Sequence, residues 1–166
     1  MKNIFKVDGK FNLGSLIISI LISEAVGIIA AFFTRTMIPK YMELSKPWFS
    51  PPPYVFTIVW PILYLLMGIA AYRIYLKYKE GEGDRRALTF YGVQLLLNLL
   101  WPFLFFTFRL YGLSFIEIIV LLIFIILTTI AFFKKDKIAG FLMIPYILWV
   151  SFASVINFFI WMLNEM

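Results

Sequence analysis

Apolar residues fall along this chain in five long blocks, separated by short polar or proline-rich connectors. The blocks run over about 13–34, 54–75, 87–108, 113–133 and 138–163. Each is close to the roughly 20 residues that a bilayer-spanning helix needs. None shows the alternating pattern of barrel strands, so the spans are predicted as helices. The expectation is an all-α integral membrane protein, a five-transmembrane-helix bundle. No internal repeat or low-complexity linker divides it, so residues 1–166 are read as a single domain. The first block has no small-residue cleavage site after it and is read as a retained span, not a removed signal peptide.

The connectors differ in kind. The first, Arg35–Pro53, is long and ends in Lys46-Pro47-Trp48-Phe49-Ser50-Pro51-Pro52-Pro53, directly before the second block. Residues 46–60 hold four prolines and five aromatic residues. Proline fixes φ and removes a backbone donor, so this stretch is predicted to be stiff and non-helical, a wall for a flat apolar ligand. The second connector, Leu76–Arg86, is charged and broken by glycine; the third, at Arg109-Leu110-Tyr111-Gly112, is a tight turn; the fourth is Lys134-Lys135-Asp136-Lys137.

Composition supports the membrane reading. The chain is 63% hydrophobic and 14% charged, with mean hydropathy +0.93, whereas soluble domains are about half apolar and about a quarter charged. The net charge of +6 is explained by its placement. Lys2, Lys6, Lys10, Arg73, Lys77, Lys79, Arg85, Arg86, Lys134, Lys135 and Lys137 belong to one side of the predicted bundle, and Arg35, Lys40, Lys46 and Arg109 to the other. The positive-inside rule puts the N-terminus in the cytoplasm and the C-terminus outside. Topology and attraction to anionic lipid account for the charge, so no nucleic-acid partner is expected. Cysteine and histidine are absent. Disulfides, the usual zinc ligands and thiol or histidine catalysis are therefore excluded, and no metal or cofactor is expected.

Polar residues inside spans usually face the bundle interior. Gln94, Asn98, Trp101 and Phe105 recur on one face of the third span. Two readings stay open there: interhelical hydrogen bonding, or a cavity wall whose amides orient a ligand. Trp60, Tyr64 and Met67 share a face of the second span, and Tyr146, Trp149, Ala153, Ile156 and Ile160 a face of the fifth, after Pro145. Trp48 and Trp161, near span ends, read as interfacial anchors. Glu24 lies mid-way along the first span beside Gly27 and Ala31, a small-residue pattern suited to close helix packing; Glu117 lies early in the fourth.

Several ordered blocks carry a resemblance. They are Glu24-Ala25-Val26-Gly27 through Phe33-Thr34, Lys46-Pro47-Trp48, Pro51-Pro52, Val59-Trp60 with Leu63-Tyr64, Gln94-Leu95, Leu97-Asn98, Trp101-Pro102, Pro145-Tyr146, Leu148-Trp149, Phe152-Ala153 and Asn157. Over about 24–164 the chain resembles the translocator protein family, also called tryptophan-rich sensory proteins or peripheral benzodiazepine receptors. The resemblance implies a homodimer in a bacterial cytoplasmic membrane and a cavity for porphyrins such as protoporphyrin IX or for benzodiazepine-site ligands. It implies ligand contacts at Tyr41, Trp60, Tyr64, Asn98, Trp101, Trp149 and Ala153, and a catalytic role for Trp60 and Trp149 in light-dependent porphyrin breakdown. Two departures stand out: Lys40-Tyr41 replaces the family's Trp-Tyr pair, and the end of the last span lacks the Tyr and basic residue of a sterol-recognition pattern.

The leading expectation is a receptor or sensor for a flat tetrapyrrole, stacked on aromatics, hydrogen-bonded by Asn98 and Gln94, with Lys40 or Lys46 at its propionates. The alternatives are a light- and oxygen-dependent porphyrin-degrading enzyme and a tetrapyrrole transporter.

Overall fold

The computed structural model describes residues 3–166. Met1 and Lys2, whose charge entered the topology count, lie outside the described residues. The chain is an all-α membrane protein. Its helices are α1 (Leu13–Thr34), α2 (Ile38–Met42), α3 (Pro53–Lys79), α4 (Arg85–Pro102), α5 (Tyr111–Lys135) and α6 (Lys137–Asn164). Among the described residues, five segments are long and apolar enough to cross a bilayer, with α2 continuing the first of them.

The helix starts are written locally. Asn12, Asp84 and Asp136 each accept a backbone N–H of the first turn, from Ser15, Arg86 and Ala139, satisfying donors that a helix start leaves free. Pro52 and Pro53 open α3, where a missing N–H costs nothing. Lys77 and Lys79 close α3, and Lys134 and Lys135 close α5, favourably placed against the helix dipole.

Two expectations about the connectors change. The first connector begins as helix: Arg35–Met37 forms a tight 3₁₀ turn and Ile38–Met42 a further α-helical turn. Pro39 sits in the first turn of α2, so it starts that helix instead of ending one. Helix also resumes at Pro53, so only residues 43–52 of the proline-rich stretch are irregular. Lys46 anchors this stretch by donating to the carbonyls of Tyr41, Met42 and Leu44 at 3.1, 3.1 and 3.0 Å. Phe49 docks on Phe159 of α6, with ring centroids 5.6 Å apart. Trp48 is 95% exposed, as an interfacial anchor would be.

α3 is the central element, buried almost continuously from Leu63 to Ile74. α1 lies against its lower half. The Ser19 hydroxyl donates to the Gly68 carbonyl and the Ser23 hydroxyl to the Tyr64 carbonyl, both at 2.7 Å. Gly68 permits this approach, since a Cβ there would stand 2.7 Å from Ile20 Cα. Above Gly27, which faces the Tyr64 ring, α1 leans instead on Phe103 through Phe33. α4 is extended by a π-helical turn, Phe103–Thr107.

α5 and α6 form an antiparallel hairpin. At one end Glu165 accepts the Tyr111 and Gly112 N–H groups, both at 2.9 Å. At the other, Asp136 pairs with Arg73 of α3 through two bonds of 3.0 and 2.7 Å. Arg73 also donates to the Ile4 and Lys6 carbonyls, which ties down the N-terminal segment. Burial raises the Asp136 carboxyl pKa, but hydrogen bonds from Arg73 and the Ala139 N–H outweigh it and leave it below its ordinary value. Lys77–Asp8 and Lys10–Glu80 pairs gather the N-terminus and the second connector at this same end.

Candidate functional site

The upper halves of α1, α3, α4 and α6 do not close on one another. Between them lies a cavity of about 650 Å³, within the range of small-molecule sites. Its position follows from α1, whose hydrogen bonds to α3 end at Ser23. Above that point Gly27 and Ala31 supply little bulk, and the space is left open. The mouth faces the lipid side: Ile28 of α1, 67% exposed, and Tyr54 of α3, 64% exposed, both line the cavity.

The walls are aromatic. Trp60 stacks on Tyr64 with centroids 5.5 Å apart and planes at 28°. Trp101 stacks on Phe105 at 4.9 Å and 25°. Tyr41, carried by α2, packs its ring against Phe56, Phe105 and Phe106 and closes the outer end. Ala153 of α6 is small and keeps the space beside these rings free.

A hydrogen-bonded chain fixes the floor. Tyr64 donates its hydroxyl to Asn98 Oδ1; Asn98 Nδ2 donates to the Tyr146 hydroxyl at 2.7 Å; Tyr146 donates to Gln94 Oε1 at 2.8 Å. A second set joins α4, α5 and α6. Trp101 Nε1 donates to Asn157 Oδ1 at 2.9 Å, and Asn157 Nδ2 donates to the Tyr111 carbonyl at 3.0 Å. Satisfied networks of this kind hold side chains in one arrangement where no water can substitute.

Of the residues marked from sequence, Tyr41, Trp60, Tyr64, Asn98, Trp101 and Ala153 all line the cavity. Trp149 does not. It lies in a separate groove between α3 and α6, with Val59, Ile62, Leu63, Leu66, Pro145, Leu148 and Phe152. Its ring packs edge-on against Phe56 of the cavity wall, with centroids 5.6 Å apart. Each helical step turns about 100°, and Val150 and Ala153 take the inward positions, which leaves Trp149 on the flank.

The two readings of the third-span amides also separate. Gln94 is fully buried outside the cavity lining, and its carbonyl is committed to Tyr146. Asn98 lines the cavity, with its carbonyl and amino groups both engaged in the floor network. Lys46 is spent on backbone carbonyls, and Lys40 is exposed and outside the lining. The basic residue on the cavity rim is Arg35, which sequence reasoning had counted only for topology. Its guanidinium lies 4.5 Å from the centroid of the Phe32 ring. Glu24 lines the inner part of the cavity. Phe56 and Phe106 are further wall residues that periodicity did not single out.

Fold and site together define an integral membrane helix bundle with an aromatic cavity set between its spans. The sequence model of the TspO/MBR family matches residues 19–162, and the chain belongs to that family. It is 39% identical to the tryptophan-rich sensory protein of Cereibacter sphaeroides over 118 residues, covering 71% of this chain and 72% of that one. It is 37% identical to the tryptophan-rich protein TspO of Archaeoglobus fulgidus, covering 92% of this chain and 99% of that one. The human translocator protein is 34% identical over 75% of each chain.

Proposed function

We propose that the protein is a membrane receptor or sensor that binds a flat, largely apolar ligand of the tetrapyrrole class, protoporphyrin IX foremost, in the cavity between α1, α3, α4 and α6. The observation that carries this reading is the pairing of two stacked aromatic walls, Trp60–Tyr64 and Trp101–Phe105, across a space of about 650 Å³. Flat aromatic ligands gain most from such faces. Tyr41, Asn98 and Ala153 complete the contact set, and Trp149 supports it from behind Phe56. Benzodiazepine-site ligands suit the same walls. Titration of the purified protein with protoporphyrin IX in darkness, followed by tryptophan quenching, tests the assignment; absence of saturable quenching overturns it.

A second reading, light-dependent porphyrin breakdown, is favoured by the position of Trp60 on the cavity wall, where its indole would be an electron donor to an excited ligand. Product absorbance that appears only under illumination, and is lost in Trp60→Phe, would support it.

The reading includes a bacterial cytoplasmic membrane, with the N-terminus and the α3–α4 and α5–α6 connectors in the cytoplasm, because the basic residues crowd that end. It also includes a homodimer. Sedimentation in detergent tests the pairing.

A further inference from the structure

We propose that the cavity recognises a two-ended ligand, holding an anionic group at Arg35 near its mouth and a cationic or N–H donor group at Glu24 at mid-span. This rests on the reading of the cavity as a small-molecule site and adds the polarity of what enters it.

Arg35 caps the C-terminus of α1 with helical backbone angles, eleven residues after Glu24. That spacing is about three helical turns, an angular offset of about 20° and an axial rise of about 16 Å. The two side chains therefore emerge from one face of α1, and both line the same cavity. Neither has an ion-pair or hydrogen-bond partner among the described residues; Arg35 only lies over the Phe32 ring. An ionisable side chain within a span is costly, and partners usually offset the cost. Arg73, Gln94, Asn98 and Asn157 follow that rule, Arg73 paired with Asp136 and the three amides hydrogen-bonded. Of the two carboxylates within the spans, Glu117 on α5 is also unpartnered but stands outside the cavity lining. Glu24 is the one that opens onto it.

The wall between the two charges carries none of its own. Gly27, Ile28 and Ala31 line it from α1, with Trp60 and Pro61 opposite. A wholly apolar ligand would use neither charge. A ligand with an acidic group at its inner end would set two negative charges against each other. Only one orientation satisfies both ends, with the anion outermost. A flat ring system with internal N–H groups and peripheral carboxylates has this polarity, and so does an aromatic amphiphile with opposite termini.

The test uses the full chain in nanodiscs and three pyrene probes of one shape: pyrenebutyrate, its methyl ester and a pyrenylbutylammonium. Binding is read by tryptophan-to-pyrene energy transfer, with empty nanodiscs subtracted. Arg35→Gln is expected to weaken the carboxylate about tenfold, and Glu24→Gln to weaken the ammonium about tenfold, in line with the loss of one charge-assisted contact. The ester should bind all three proteins alike, which also reports that the variants are folded. Equal losses for every probe, no loss for the charged probes, or no binding of any probe overturns the proposal. Protoporphyrin IX titrated alongside separates the two readings. If it fails to bind while the charge split persists, only the tetrapyrrole assignment falls. If it binds and the split is absent, only the polarity falls.

Discussion

Trp101 donates its indole N–H to Asn157 across the gap between α4 and α6, at 2.9 Å. That bond spends the one polar group of Trp101, so the residue serves the cavity as a fixed aromatic face. Trp60 differs: it lines the same cavity, and its N–H has no hydrogen-bond partner among the described residues. Trp149 differs again, standing in the outer groove behind Phe56. Three tryptophans that look alike in the sequence thus hold three different stations.

The first prediction follows from those stations. Trp60→Phe is expected to weaken porphyrin binding several-fold, because it trims a face in direct contact with the cavity. Trp149→Phe is expected to change binding by less than about twofold, within what an indirect packing contact conveys. Quenching titrations of the two variants side by side provide the check. A larger effect at Trp149 would refute the placement of the ligand.

Filling the cavity is the complementary experiment. Ala153→Leu adds bulk beside the aromatic walls without touching the hydrogen-bonded floor. Porphyrin affinity is expected to fall by about tenfold or more, while stability changes by less than about 2 kcal/mol, since the added side chain enters open space. The two quantities are measured by titration and by unfolding in mixed micelles.

The floor can be tested through Tyr146. Tyr146→Phe leaves the Asn98 amino group and the Gln94 carbonyl without their partner in a site that water does not reach. A loss of about 1–2 kcal/mol is expected. Denaturation by sodium dodecyl sulfate gives the difference directly.

The contact of α1 with α3 predicts opposite outcomes at two glycines. Gly68→Ala places a methyl group 2.7 Å from backbone Ile20 Cα and is expected to cost about 1–3 kcal/mol. Gly92→Ala meets nothing within 4 Å and is expected to be neutral or slightly stabilising. Thermal unfolding of both variants distinguishes a packed glycine from an unpacked one.

The Arg73–Asp136 pair gives a pH dependence. The folded Asp136 carboxyl titrates below its ordinary value of 3.8. Its contribution is therefore complete above about pH 5 and is lost as pH falls through the lowered folded value. Asp136→Asn is expected to cost about 2–3 kcal/mol at neutral pH, below the roughly 3–5 kcal/mol of a fully broken buried pair because Arg73 keeps the Ile4 and Lys6 carbonyls. The gap between variant and wild type should shrink in acid. Unfolding midpoints from pH 7 down to about pH 3 test this sign.

The spans were legible because lipid imposes a length and a hydropathy that few other contexts require. Predicted ends such as Leu13 and Thr34 coincide with those of α1. The helical stretch at 35–42 was not legible, since Pro39 reads as a breaker unless it is known to occupy a first turn. Six cavity residues were reached through the resemblance, and the face shared by Asn98, Trp101 and Phe105 could be seen from spacing alone. That Trp149 lines the neighbouring groove was not legible, because a three-to-four-residue period defines a broad stripe whose flank can serve such a groove as well as the interior. Arg35 was missed as a rim residue for another reason. A basic residue at a span end satisfies the topology rule by itself, and nothing in the sequence shows that it also overlooks an opening.

The opening lies between Ile28 and Tyr54, both exposed on the outer surface of membrane-spanning helices, the surface that acyl chains cover in a bilayer. A hydrophobic compound that uses it must first dissolve in the bilayer, so saturation is set by the number of guest molecules per lipid. Two vesicle preparations with the same dissolved dose and different lipid-to-protein ratios should then half-saturate at different nominal concentrations, and agree once occupancy is plotted against mole fraction in the membrane.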